Sequence, residues 1–352
     1  MKTRIFSVVL LAVLLFVSCS AQKADHASEI RIIPNAAERR MDVLIDGKLF
    51  TSYCWLENVY KPVLYPVIAS SGTEVTRGFP LKPRPGEQVD HIHQAGIWLN
   101  YGNVNGLDFW GNGYRGMKEP NGGVIVHKSI DRMESKNGEA SFVTTSAWLT
   151  PKGKTLLDEK TEYHFIARDD VRIIDRITRL TAKDTDVVFN DTKEGMFGMR
   201  VARQLELPSS AGVILIDSTG KPAKEKNALN TGVSGNYRSS EGIEGEGVWG
   251  TRAKWMSLSG IIGNDSIMIV ICDHPGNPGY PTYWHARGYG LFSANPLGWK
   301  DFTKGKDEFK FTIPAQKSAT FRYRVIISSG KKLTSEQLNT YSEDFAELYK
   351  KK

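Results

Sequence analysis

The sequence predicts an all-β protein, a large antiparallel β-sandwich closed by one C-terminal helix. Three observations carry this. Runs rich in Val, Ile, Leu, Thr and aromatic residues alternate with polar ones at period two between residue 29 and Ile327, the pattern of strands with one buried face. Turn signals recur between the runs, the spacing of an architecture of about 15 to 20 short strands. Helical periodicity is confined to the tail.

Before the first strand, Lys2 and Arg4 precede an apolar run, Val8–Val17, and then Ser18-Cys19-Ser20. A basic flank before a short apolar stretch reads as an export signal, too short for a permanent span. Residues 1–18 are expected to be the signal peptide, 19–28 a polar tether, and 29–352 one β domain. Cys19 stands where bacterial lipoproteins are acylated; the alternative is ordinary cleavage near Ala21-Gln22. The chain is therefore expected in the bacterial envelope, lipid-anchored at Cys19, in the periplasm or at the outer membrane. No later run reaches the ~20 apolar residues of a spanning helix. The formal net charge is +7 with basic residues scattered along the chain. That describes a solvated surface and excludes a nucleic-acid stripe.

Met41–Ile45 and Lys48–Tyr53 flank Asp46-Gly47, a hairpin signal, because Asp-Gly supplies the positive φ angles of a tight turn. Tyr60–Val67 is apolar, but Pro62 and Pro66 argue against a central strand. Pro80, Pro83 and Pro85 stiffen the loop that follows Thr73–Gly78. Ala140–Leu149, Thr161–Ala167, Val171–Leu180 and Val187–Phe189 read as strands, the third with a clean one-face alternation. Residues 219–247, rich in Gly, Ser, Asn and Lys, read as a long excursion, a flap or a mobile loop. Ile267–Cys272 reads as a buried strand. Phe309–Ile313 and Thr320–Ile327 are expected to pair around Pro314–Lys317. Thr334-Ser335-Glu336-Gln337 is a capping box, and Leu338, Tyr341, Phe345 and Leu348 follow at helical spacing. Cys54 and Cys272 lie in apolar runs. An oxidising envelope permits a disulfide between them, and two separate buried thiols is the alternative.

Chemistry concentrates in Asp90-His91-Ile92-His93-Gln94-Ala95-Gly96-Ile97-Trp98. In extended backbone, His91 and His93 point to one face. Glu194, His274 and His285 lie in other polar segments between strands, with Arg77 and Arg287. Imidazoles carry protons near neutral pH, Glu194 offers a base or an ion pair with Lys193 or Arg200, and arginines hold carboxylates or oxyanions. The catalytic candidates are His91, His93, Glu194 and His274. The substrate-binding candidates are Arg77, Trp98, Trp110, Trp284, His285 and Arg287, the indoles serving as walls of the kind sugars stack on. His91 or His93, Glu194 and at least one of His274 and His285 are expected to line a common cleft. His127 and His164, inside ordinary strands, read as structural. No cofactor is expected, although His-X-His with a distant His or Glu would suit a metal ion.

Glu74-Val75-Thr76-Arg77-Gly78, Pro83-Arg84-Pro85-Gly86-Glu87, Asp90-His91-Ile92-His93, Asn105-Gly106-Leu107-Asp108-Phe109-Trp110, Thr192–Gly198, Asp273-His274-Pro275 and Tyr283–Gly290 together resemble the exported bacterial family labelled PmoA-like, or methane oxygenase. Members of that family often read Asp-His-Pro-His-His-Arg-Gly where this chain has Asp90-His91-Ile92-His93-Gln94-Ala95-Gly96. The resemblance implies a galactose-mutarotase-like β-supersandwich, in which an Asn-His-Leu-His-Gly segment supplies a catalytic histidine. Asp90–His93 is similar to it in spacing. The expected function is acid–base chemistry on a sugar or oxidised sugar: epimerisation, hydrolysis or elimination. Two alternatives are a non-catalytic glycan-binding lipoprotein and a metal-dependent enzyme of the family so labelled.

Overall fold

The structure, a computed structural model, describes residues 28–114, 121–136, 138–226 and 230–350; the expected signal peptide at 1–18 and Cys19 lie outside them. The strands in chain order are β1 (Ile30–Asn35), β2 (Arg40–Ile45), β3 (Lys48–Cys54), β4 (Val63–Val67), β5 (Ile97–Tyr101) and β6 (Val124–Lys136). Then come β7 (Glu139–Leu149), β8 (Thr155–Arg168), β9 (Val171–Ala182), β10 (Val187–Phe189), β11 (Gly195–Arg200) and β12 (Asn236–Ser239). The last six are β13 (Trp255–Ile262), β14 (Asp265–Asp273), β15 (Tyr283–Arg287), β16 (Leu291–Asn295), β17 (Phe311–Ile313) and β18 (Ser318–Ser329). Two helices, α1 (Trp299–Phe302) and α2 (Ser335–Leu348), complete the chain.

Two eight-stranded sheets face each other, in the orders β1-β2-β3-β4-β5-β11-β16-β15 and β12-β13-β14-β18-β9-β8-β7-β6. Every strand pairing in them is antiparallel. The fold is thus all-β, as predicted. Phe50, Tyr53, Leu99, Phe142, Phe165, Phe197, Ile269 and Val325 belong to the core that the two sheets share.

Period two then decides the outer faces. On the second sheet Ile173, Ile177, Val270 and Ile326 point away from that core and are covered by Leu338 and Phe345 of α2. Each of those two side chains, fully buried, contributes about 1.5–3 kcal/mol. The helix begins at the capping box read from the sequence, Thr334 and Gln337 bonding reciprocally. On the first sheet the outward residues include Cys54, Val63, Trp98 and Leu291, which form a separate apolar cluster with Val59, Tyr65 and Trp110. Cys54 and Cys272 are free, buried thiols. One belongs to the outer cluster of the first sheet and the other to that of the second, so the sandwich separates them.

The Asp46-Gly47 hairpin forms as expected, with φ of +50° and +75°. Three expectations are corrected. Val63–Val67 is an interior strand, between β3 and β5. Its pairing with β3 is irregular between Thr51 and Tyr53, the stretch facing Pro66, so the missing proline N–H breaks no regular ladder. The segment from 219 to 247 is not one loop. It holds β12, which pairs with β13 at the edge of the second sheet. Phe311–Ile313 pairs with β10, not with its neighbour in sequence. β18 instead fills the centre of the second sheet, between β14 and β9.

Candidate active site

The outer face of the first sheet carries the site. On β15 the core-facing residues are Trp284 and Ala286, so His285 and Arg287 face outward by alternation. On β5 Trp98 faces outward and lies on Gly198 of β11. A Cβ at Gly198 would stand 2.6 Å from the indole, so only glycine lets the ring lie against the sheet. Trp110 packs edge-on against Trp98, ring centres 5.4 Å apart.

Above this floor runs the Asp90–Gln94 turn, built around buried Arg77. Its guanidinium donates to the carbonyls of Asp90 (3.0 Å), His91 (3.0 Å) and Gln94 (3.1 Å) and to Asp90 Oδ1 at 2.5 Å. Arg200, fully buried, donates to the same Oδ1 at 2.7 Å and to Gln94 Oε1 at 2.7 Å. The template holds His91 at φ +41°, a left-handed conformation that costs about 1–2 kcal/mol for a residue with a Cβ. The turn hands the imidazole to Asp90: His91 Nδ1–H donates to Oδ2 at 2.6 Å. The ring also lies flat on Tyr289, 4.7 Å between centres and 2° from parallel. Among the described residues His91 Nε2 has no hydrogen-bond partner. Burial alone would raise the Asp90 carboxyl. The His91 hydrogen bond and the Arg200 and Arg77 charges outweigh it and hold the group below the usual carboxylate range.

A cavity of about 530 Å³ opens here, lined by His91, His93, Gln94, Asp108, Trp110, Gly111, Lys193, Glu194, His285, Arg287 and Tyr289. His93 and His285 are its neutral imidazoles. Burial, joined by the charges of Lys61, His91, Arg200 and Arg77, lowers His93 to about 3. Burial lowers His285 to about 4 against the opposing pull of Glu194. Both act as hydrogen-bonding groups near pH 7 rather than as cations. Among the described residues His93 Nδ1, His285 Nδ1 and Trp110 Nε1 are buried without hydrogen-bond partners. Glu194 meets Lys193 at 2.6 Å. Asp108 accepts the Trp110 and Gly111 amides, each at 2.8 Å.

The candidates thus divide. His91, His93, Glu194, His285, Arg287 and Trp110 share the cavity. Arg77 does not line it: the guanidinium is buried beneath the turn, its Nη1 and Nη2 donors bonded to that turn. Trp98 is floor beneath Trp110, and Trp284 faces the inter-sheet core. His274 stands elsewhere, its Nε2 3.2 Å from the Ala346 carbonyl and its ring on Phe345 of α2. His127 stacks on Trp55 at 4.4 Å and His164 bonds Glu162 at 2.9 Å, both in structural settings. Among the described residues no cluster of three or more His, Cys, Asp or Glu is placed to hold a metal ion.

Sequence reasoning overlooked Lys61, Asp108 and Tyr289. Lys61 is buried, donates to the His93 carbonyl at 2.6 Å and lies 5.3 Å over the Trp98 ring. Burial brings its ammonium down to about 7, against the opposing Asp108 charge. A lysine in an apolar run next to Pro62 was the available signal.

Fold and cavity define the class, an antiparallel β-sandwich with a small-molecule cavity on the outer face of one sheet. Within that class the chain belongs to the DUF6807 family of unknown function, which it matches over residues 40–343. No curated protein matches it. Among solved structures it is similar to an α-galactosidase from Lactobacillus brevis, at 11% identity and TM-score 0.37. That likeness covers 91% of this chain and 41% of the other, so the chain spans about two fifths of that protein. It is also similar to a galactose mutarotase related enzyme from Lactobacillus acidophilus, at 8% identity and TM-score 0.34, over 86% of this chain and 97% of that one. A galactose mutarotase-like protein from Lactobacillus casei gives 8% identity and TM-score 0.29, over 85% and 99%.

Proposed function

We propose that the cavity binds a sugar or oxidised sugar and performs acid–base chemistry on it: epimerisation, hydrolysis or elimination. The observation that carries this is the Asp90–His91 pair, with Nε2 unspent, on the same cavity as the Glu194 carboxylate. A carboxylate that holds one imidazole nitrogen orients the other for proton transfer. As the imidazolium, protonated on both nitrogens, His91 delivers its Nε2 proton to a ring or glycosidic oxygen, and Glu194 takes one from carbon or water. Tyr289 and Trp110 supply apolar surface for a sugar face, and the neutral His93 and His285 bond hydroxyl groups. The export signal at 1–18 and Cys19 support placing this activity on a lipid-anchored protein of the bacterial envelope.

The Lys193–Glu194 ion pair, which occupies the carboxylate, favours a second reading: a glycan-binding protein without turnover. A panel of neutral, acidic and keto-sugars, incubated with the protein and followed by mass spectrometry, separates the two. Turnover that falls about 10²–10⁴-fold in His91→Ala and in Glu194→Gln supports the enzyme. Full activity in both variants removes these roles, and binding with unchanged ligand establishes the second reading.

A further inference from the structure

The proposed function leaves the kind of sugar open, and one cavity residue bears on it. The other buried or half-buried arginines near the site are committed to protein acids: Arg77 and Arg200 to Asp90, Arg84 to Glu74 and Glu87, Arg203 to Glu206. Arg287 is not. It sits half-buried on the cavity wall, and among the described residues its guanidinium makes no hydrogen bond and no ion pair. Its contacts are with rings: Trp249 at 5.6 Å and Tyr289 at 5.8 Å. Aromatic faces fix a guanidinium in place without using its N–H donors.

The other charges of the cavity are spent. Lys193 neutralises Glu194, Asp90 holds His91, and Asp108 accepts two backbone amides. Among the described residues, Arg287 is therefore the charged side chain of the cavity wall that no hydrogen bond or ion pair of the protein engages. A planar fork with free donors matches a carboxylate in two parallel hydrogen bonds.

We infer that the ligand is a carboxylated sugar, a uronate, and that Arg287 holds its carboxylate. The inference rests on the sugar reading above and narrows it. His285, beside Arg287 on β15 and neutral, is placed as a hydrogen-bonding neighbour for the same end of the sugar.

The test compares matched pairs that differ at C6 alone, glucose with glucuronate and galactose with galacturonate, as free sugars and as methyl glycosides. Calorimetry on the full chain is expected to give uronate affinities about 10- to 100-fold above those of the neutral partners, the range of charge-assisted hydrogen bonds. Arg287→Gln is expected to bind both members of each pair alike, and Arg287→Lys to keep part of the preference. Thermal melting of both variants checks that they fold. Sugars bound without a carboxylate preference overturn this inference and leave the sugar reading standing. A preference that survives in a folded Arg287→Gln overturns the role of Arg287. A 6-sulfated sugar that outcompetes the uronate overturns the carboxylate. Absence of binding by every sugar overturns both readings.

Discussion

Asp90→Asn tests the clamp behind the site. The carboxylate takes Arg77 at 2.5 Å, Arg200 at 2.7 Å and His91 at 2.6 Å. Asparagine keeps the shape, loses the charge, and turns one acceptor into a donor facing another donor. Arg77 and Arg200, 1% and 0% exposed, then lie close together without their shared counter-charge. Glu206, 3.9 Å from Arg200, is a poor substitute. Breaking a buried pair costs about 3–5 kcal/mol. Asp90 is 28% exposed, so the lower end, about 3 kcal/mol, applies. At roughly 2 °C per kcal/mol for a chain of this size, melting falls by about 6 °C. The pH dependence has a definite sign. Asp90 titrates lower in the folded protein than in the unfolded chain. Its contribution is complete above the unfolded value of about 4 and fades as pH falls below it. The gap in melting temperature between wild type and variant is therefore constant near neutrality and closes in acid. A gap under about 1 °C at pH 7, or one that persists unchanged into acid, would refute the clamp.

Two further predictions follow from residues away from the cavity surface. Lys61 is lowered to about 7 by burial, so between that value and about 10.4 the unfolded chain holds more protons and stability rises with pH. Lys61→Met should remove this rise, measured as a wild-type minus variant difference in unfolding free energy that grows from pH 7 to 10; a flat difference counts against it. His274→Ala should cost about 1 kcal/mol through its lost hydrogen bond to Ala346, seen as lower melting, and leave ligand binding at the cavity unchanged. Loss of that binding in a folded variant would return His274 to the site.

Much of the architecture is readable from local pattern. The alternation in Val171–Leu180, the Asp46-Gly47 turn and the Thr334 capping box each depend on residues within a few positions of one another, so the sequence alone determined β9, the β2–β3 hairpin and α2. It also marked Asp90–His93 as the centre of the candidate site and named six residues that line the cavity, because polar groups emerging from apolar strands are conspicuous in a one-dimensional reading. Strand partners were another matter. Phe311–Ile313 joins β10 across more than a hundred residues, and β18 closes the second sheet between β14 and β9. Any two amphipathic strands of fitting length pair equally well on paper. The burial of a charged side chain likewise depends on what folds over it. Arg77 and Arg287 look alike in sequence, each followed by glycine, yet the fold sets one under the Asp90 turn and, among the described residues, leaves the guanidinium of the other without a hydrogen bond or ion pair. Lys61 becomes a buried amine only because Trp98, His93 and the Gly113 turn close around it. Trp284 and His285 are adjacent in sequence and lie on opposite faces of β15, and which face met the core was decided by the tertiary packing of the two sheets.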